Sequence, residues 1–437
     1  MGMIILTALI LTELAFMIWN IAEGDLHRKE KAVSAIAIFL IFVTLCLTGV
    51  IEWGFRYYIL GFALALQSII AVIRLIKQDK TEAFGRVIGK SVGKFVGKTI
   101  LYTTVLMLAI ICPQFTEPEP TGQYNVLEAK YTWTDENRTE TFTDTGEKRK
   151  ITVCVWYPEN CSEKTPLIIF SHGAFGFSGS NYSTCTELAS RGYTVAGIDH
   201  THHALFTADT EGNVTIADMN FINTVMEHNA TDNPEKEYTD NREWLDLRVK
   251  DIDFALNTII GLSQSGDPIF GNTDTTKIGL FGHSLGGAAA AQTARNRSDI
   301  SAVINLDGTL LGDEIAFENG GTVYTDEPFP VPMLDIYSQY LYDLVNEYKS
   351  ENKLKEYVNF HTAQISENVV STYFKDSGHL NFTDLPLFSP MLGKALGNMG
   401  TGDIDSLYCI NTMNKLTGDF FDYALKGKEK PEIEKEY

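Results

Sequence analysis

The chain has 437 residues, with 35 Lys and Arg set against 56 Asp and Glu, for a net charge of −21. That charge is unevenly spread: residues 1–112 sum to +4 and the remainder to −25. So acidic a globular part offers no basic face to phosphates, which excludes nucleic acid as a partner and argues against flat docking on anionic lipid.

The first 112 residues read as an all-α membrane region with four transmembrane helices. Residues 3–21, 32–51 and 57–76 are apolar over about the 20 residues that cross a bilayer, and 99–112, extended back through Phe95 and Val96, make a shorter fourth span. No basic residue precedes the first span and no small-residue cleavage site follows it, so a retained helix is expected rather than a signal peptide. Orientation follows from Lys and Arg in short loops. The first loop holds Arg28, Lys29 and Lys31; the third holds Arg74, Lys77, Lys80, Arg86, Lys90, Lys94 and Lys98; the second has little besides Arg56. The first and third loops are therefore expected in the cytoplasm, and both termini on the extracytoplasmic side of the cell membrane.

A Gly-Lys pair recurs at Gly89, Gly93 and Gly97. Five residues before each stand Phe84, Ile88 and Val92 rather than glycine, so no phosphate-binding loop results. On a helix the repeat lines three glycines along one side for close packing, beside a lysine ridge suited to lipid phosphates. Glu13, in mid-span, is either a functional ionisable group or an interior carboxyl hydrogen-bonded within the bundle.

Residues 113–123 form a proline-rich linker and 124–437 a second domain. In it, 124–134, 148–157, 166–171, 192–199, 276–281, 301–306, 332–337 and 370–374 read as strands, and 242–262 and 340–357 as helices. Residues 201–241, acidic and without clear periodicity before Met219, are expected to be an insertion that shapes the substrate site. Strands alternating with helices indicate an α/β fold built on one doubly wound, mostly parallel sheet.

The pivotal stretch is Gly282-His283-Ser284-Leu285-Gly286, set between a strand and an alanine-rich helix. A G-x-S-x-G turn in that context is a nucleophile elbow: the serine is lifted above the sheet, and the first helical amides point at the same place. A serine needs a base, and the base an orienting acid, in the chain order serine, acid, histidine. Asp307 is the first strand-end carboxylate after Ser284; Asp335 is its mid-strand rival, and Asp376 lies too near the base. His379 directly follows a strand, whereas His361 falls in a polar stretch after a helix. Ser284, Asp307 and His379 are thus the expected catalytic residues. Ser171-His172-Gly173-Ala174 ends an earlier strand and resembles an oxyanion loop, so the amides of Ala174 and Leu285 are the expected donors. His172 is read as structural, and His200, His202 and His203 as loop residues at the pocket mouth.

Six cysteines, none in a C-x-x-C pair, support no metal site; a Cys154–Cys161 disulfide and free thiols are both open. Asn137, Asn181 and Asn381 head N-x-S/T triplets that a glycosylating pathway could modify.

Phe170-Ser-His-Gly-Ala174, Gly282-His-Ser-Leu-Gly-Gly287, Asn305-Leu-Asp307 and Gly378-His379-Leu-Asn-Phe-Thr-Asp384 together resemble the plasma-type platelet-activating-factor acetylhydrolases, within the dienelactone-hydrolase-like α/β-hydrolases. The resemblance covers roughly residues 127–423. It implies an α/β-hydrolase fold, a Ser284–Asp307–His379 triad with Ala174 and Leu285 at the oxyanion, and no metal or organic cofactor. The expected function is a membrane-anchored serine esterase acting on a small-molecule or lipid ester, with membrane lipid its other partner. The alternatives are an inactive tethered scaffold, or a polyester hydrolase, lipase, peptidase or acyltransferase using the same chemistry.

Overall fold

A computed structural model describes residues 1–76, 84–228, 233–350 and 357–437. The chain divides into two compact units: Met1–Thr116 with Phe388–Leu392, and Glu117–Leu387 with Gly393–Tyr437.

The first unit is built from α1 (Gly2–Glu23), α2 (Arg28–Leu47), α3 (Tyr58–Ile76) and α4 (Phe84–Ile111). Each is long and apolar enough to cross a membrane. Helix α1 packs on α4 and α2 on α3, burying Leu6, Leu9, Phe42, Leu60, Leu64, Tyr102 and Leu106 together. Helix α4 begins well before the expected fourth span, so Arg86, Lys90, Lys94 and Lys98 are helical rather than loop residues. Lys77 and Lys80 lie outside the described residues.

Among the described residues of this chain, the glycine stripe does not make the expected close packing. A Cβ added to Gly89, Gly93 or Gly97 would meet nothing within 4 Å among the described residues, because Val87, Ser91 and Tyr102 form the inward face of α4. Ser91 Oγ accepts a hydrogen bond from Asn20 Nδ2 at 3.0 Å. Lys98 also leaves the expected lipid-facing ridge: its Nζ donates to Glu13 Oε1 at 2.5 Å. Glu13 is an interior, hydrogen-bonded carboxyl. A carboxylate buried in an apolar helix bundle without such a counter-charge would be costly.

The strands of the second unit are β1 (Val126–Thr139), β2 (Lys148–Pro158), β3 (Thr165–Ser171), β4 (Thr194–Asp199), β5 (Phe206–Ala208), β6 (Val214–Ile216), β7 (Thr273–His283), β8 (Ile300–Leu306), β9 (Glu314–Glu318), β10 (Gly321–Tyr324), β11 (Met333–Ser338) and β12 (Val369–Phe374). Its helices are α5 (Tyr182–Ser190), α6 (Met219–His228), α7 (Pro234–Ser265), α8 (Leu285–Asn296), α9 (Gln339–Ser350), α10 (Val358–Ile365), the short α11 (Leu385–Phe388) and α12 (Pro390–Ala395), apart from their residues 388 and 390–392, and α13 (Ser406–Lys426). Eight strands form one sheet in the order β1-β2-β4-β3-β7-β8-β11-β12. The β1–β2 and β2–β4 pairings are antiparallel and every pairing from β4 to β12 is parallel, so the sheet is doubly wound and mostly parallel. Strands β3, β4 and β11 are buried along their whole length, which is why β3 and β4 do not show an alternating pattern.

Several boundaries differ from expectation. Residues 201–241 are not irregular: they fold as the β5–β6 hairpin, α6 and the first turns of α7, with 229–232 outside the described residues. Helix α7 starts eight residues early because Asn233 caps it, its side chain accepting from the Lys236 amide at 3.3 Å, with Pro234 in the first turn. The helix expected over 340–357 is seen as α9, ending at Ser350, with 351–356 outside the described residues. His361 lies on α10, where its Nε2 meets the Thr325 carbonyl at 3.0 Å. All six cysteines are free, Cys154 and Cys161 among them. Asn181 and Asn381 are buried, with Asn181 Nδ2 donating to the Phe382 carbonyl at 2.6 Å, so neither presents a glycan acceptor to solvent.

Candidate active site

Strand register gathers the predicted residues at one edge. Ser171 pairs with Gly282, His283 with Leu306, Leu306 with Ile336, and Ser338 with Phe374. The carboxyl ends of β3, β7, β8, β11 and β12 therefore form a single rim, the place where open α/β sheets present their chemistry.

Ser284 sits between β7 and α8 with φ 55° and ψ −127°. A non-glycine residue held at positive φ costs about 1–3 kcal/mol and persists only where its surroundings over-determine it. Here the Ser284 amide donates to the Leu306 carbonyl at 2.8 Å, and the Ser284 carbonyl accepts from Gly287 and Ala288 at 2.9 and 3.1 Å. Two glycines are required by close approach: a Cβ on Gly282 would collide with the Gly286 carbonyl, and one on Gly286 with that of Ser171. Ala288 to Ala291 and Ala294 let α8 lie tightly on the sheet.

His379 opens a single turn after β12. Its Nδ1 bonds Asp307 Oδ2 at 2.7 Å, and the other carboxylate oxygen accepts from the Ser338 amide at 2.6 Å. His379 is brought beside the elbow, its carbonyl accepting from His283 Nε2 at 3.0 Å with the two rings 4.5 Å apart. Asn381 Oδ1 takes the amides of Gly378 and Gly402, both at 2.8 Å, and so holds this turn. Asp335, the rival acid, is fully buried in mid-strand. It accepts from Asn305 Nδ2 at 2.8 Å, Asn359 Nδ2 at 3.1 Å and the Tyr337 hydroxyl, and burial raises its pKa to about 6.

The loop after β3 runs past the elbow: a Cβ on Gly173 would stand 3.2 Å from Ser284 Cβ. Leu285 is the first residue of α8, so its amide lacks an intrahelical acceptor. Among the described residues the Ala174 amide has no backbone acceptor either. The insertion lies against this loop, Phe221 of α6 facing Phe175 at 5.3 Å and Phe206 of β5 facing Phe177 at 5.1 Å.

The expected place of the three neighbouring histidines is corrected. His200 and His203 are buried rather than at a pocket mouth, and His202 is largely covered. Burial wins because a charged network seals them in. Asp251 takes Arg149 at 2.7 Å through both Nε and Nη2, and Arg138 Nη1 at 2.8 Å. His200 bridges Ser171 Oγ at 2.8 Å and Asp251 Oδ2 at 3.0 Å. This second serine–histidine–aspartate chain has the chemistry of a relay but no access for substrate. Sequence reasoning missed Arg248 and Asp251. Their signal is two charges on the stripe of α7 that also buries Leu245, Val249, Ile252 and Ala255.

Burial, opposed by the Asp251 hydrogen bond, lowers the His200 pKa to about 4. The unfolded chain binds a proton near pH ~6.5 that the folded chain refuses. The contribution of His200 is therefore complete above that pH and is lost as pH falls towards 4. Replacing it by glutamine should give a thermal-midpoint gap from the parent that narrows on acidification through this window, worth at most about 1.4 kcal/mol per pH unit. A gap independent of pH would show that His200 titrates normally.

A family model described as platelet-activating factor acetylhydrolase, isoform II, matches residues 149–432. The chain is 28% identical over 273 residues to the platelet-activating factor acetylhydrolase of Cavia porcellus, covering 59% of this chain and 57% of that protein. It is 26% identical over 277 residues to a probable 1-alkyl-2-acetylglycerophosphocholine esterase of Arthroderma benhamiae, covering 60% and 62%. The chain thus spans less than two thirds of the length of either relative. Among solved structures, the ferulic acid esterase of Streptomyces cinnamoneus superposes with a TM-score of 0.53 at 20% identity, over 72% of this chain and 94% of that one. The fold is that of the α/β-hydrolases, and the chain belongs to the platelet-activating factor acetylhydrolase, isoform II, family.

Proposed function

We propose that this protein is a membrane-anchored serine hydrolase that cleaves carboxylic esters through an acyl-enzyme. The observation that carries the reading is the 2.7 Å bond from His379 Nδ1 to Asp307, beside a strained Ser284 at the carboxyl rim of the sheet. With Nδ1–H committed to Asp307, Nε2 is the nitrogen left to accept the Ser284 proton. The serine oxygen then attacks the ester carbonyl, and the amides of Ala174 and Leu285 hold the oxyanion. Protonated His379 passes its proton to the leaving alcohol. Water, deprotonated by the same ring, releases the acid. The chain's own residues supply every proton transfer.

The names of the relatives support short-acyl esters as the substrate class, acetylated glycerophosphocholines among them. Four helices long and apolar enough to cross a membrane support the anchor. Arg28, Lys29 and Lys31, in the first turn of α2, support an extracytoplasmic catalytic unit.

The test uses the full chain on chromogenic esters from acetate to laurate, beside an oxidised short-chain phospholipid, with a fluorophosphonate probe. Short acyl groups should turn over fastest and the probe should mark Ser284. Intact cells expressing the chain should also cleave the zwitterionic phospholipid added outside. Absence of both labelling and turnover would mean a tethered scaffold, and hydrolysis only after lysis would reverse the orientation.

A further inference from the structure

The Gly173 carbonyl receives three donors: the Gly176 amide at 3.1 Å, His172 Nδ1 at 2.6 Å and Arg248 Nη2 at 3.3 Å. A carbonyl oxygen has two lone pairs, so three donors saturate it. The same guanidinium reaches the His172 carbonyl through Nη1. His172 is itself oriented, its Nε2 accepting the His200 amide at 3.2 Å.

These contacts matter because of what lies across the peptide plane. A trans peptide is planar, with its N–H directed opposite its C=O. Anchoring the Gly173 oxygen therefore fixes the direction of the Ala174 N–H, turned away from Arg248 in a loop whose Gly173 borders Ser284. Burying the Arg248 guanidinium completely is costly unless it does specific work. Asp251, one turn along α7, is the counter-charge that keeps it there.

We infer that Arg248 is a positioning residue: it clamps the His172 and Gly173 carbonyls and so aims the Ala174 amide at the oxyanion formed on Ser284. The inference rests on the proposed ester hydrolysis. A lysine at 248 keeps the charge but replaces the planar fork, whose two nitrogens reach the two carbonyls, with a single nitrogen. A proline at 174 removes the amide hydrogen itself.

The experiment is a double-mutant cycle on the full chain in detergent, with a short chromogenic ester. Arg248→Lys should lower kcat by about tenfold or more with KM within about twofold, because the loss is confined to the transition state. Ala174→Pro should lower kcat by about 100-fold or more. The double variant should be no slower than Ala174→Pro alone, because both changes remove one interaction. A merely structural arginine would give losses that multiply. Multiplying losses, or a wild-type kcat in Arg248→Lys, would overturn the inference. If Arg248→Lys is not recovered folded, His172→Gln paired with Ala174→Pro is judged by the same rule. Failure of the parent chain to hydrolyse any ester would instead refute the ester-hydrolase reading, so the two failures are distinct.

Discussion

Replacing Ser284 by alanine should leave a folded protein whose ester turnover is about four to six orders of magnitude lower. The size of the loss follows from the mechanism, because no other hydroxyl can take over a covalent step. Ser171 is the nearest analogue, with its own histidine and aspartate, but it is buried and occupied by His200. The variant should fold because the Ser284 side chain makes no capping hydrogen bond to α8, so alanine leaves no orphaned partner. Backbone strain at φ 55° is common to both residues. The measurement is single-turnover hydrolysis of an activated ester, with thermal unfolding as the control. Turnover within about tenfold of the parent would remove Ser284 from the chemistry.

What could be read from the residues is what short-range rules govern. The elbow was legible because its glycines answer to local contacts: Gly282 against Gly286, and Gly286 against Ser171. The parallel class of the sheet was legible, since β3 and β4 are buried on both faces and are apolar from Leu167 to Phe170 and from Val195 to Ile198. The pairing of Asp307 with His379, 72 residues apart, was accessible only because both stand just past strands of one parallel sheet. What could not be read depends on faces and partners. The glycine stripe of α4 invited a packing role, yet Val87, Ser91 and Tyr102 decide which side turns inward. The three histidines after β4 look like polar loop residues until Arg149, Arg248 and Asp251 arrive from elsewhere to bury them. Residues 201–241 hid a hairpin and a helix because three-residue strands carry too little pattern to register.

The acid can be assigned by two isosteric substitutions with opposite expectations. Asp307 uses both oxygens as acceptors, one from the Ser338 amide and one from His379 Nδ1. Asparagine has a single acceptor oxygen. If that oxygen keeps the Ser338 amide, the new NH2 group faces His379 and forces Nδ1 to accept, so the proton moves to Nε2, the nitrogen that must be free to serve as base. Asp307→Asn should therefore lower kcat by about 10⁴ with substrate affinity little changed. Asp335→Asn meets a different environment. That carboxylate accepts from Asn305 and Asn359, both of which also donate to the Gly308 carbonyl, at 2.6 and 2.8 Å. It steadies the turn that carries Asp307 without touching His379. Losing one acceptor there weakens a buried network by about 1–3 kcal/mol, so stability should fall while kcat stays within about tenfold of the parent. Steady-state kinetics and thermal unfolding on the two variants decide the matter. A reversal, with Asp335→Asn the dead enzyme and Asp307→Asn the active one, would move the acid one strand along the sheet.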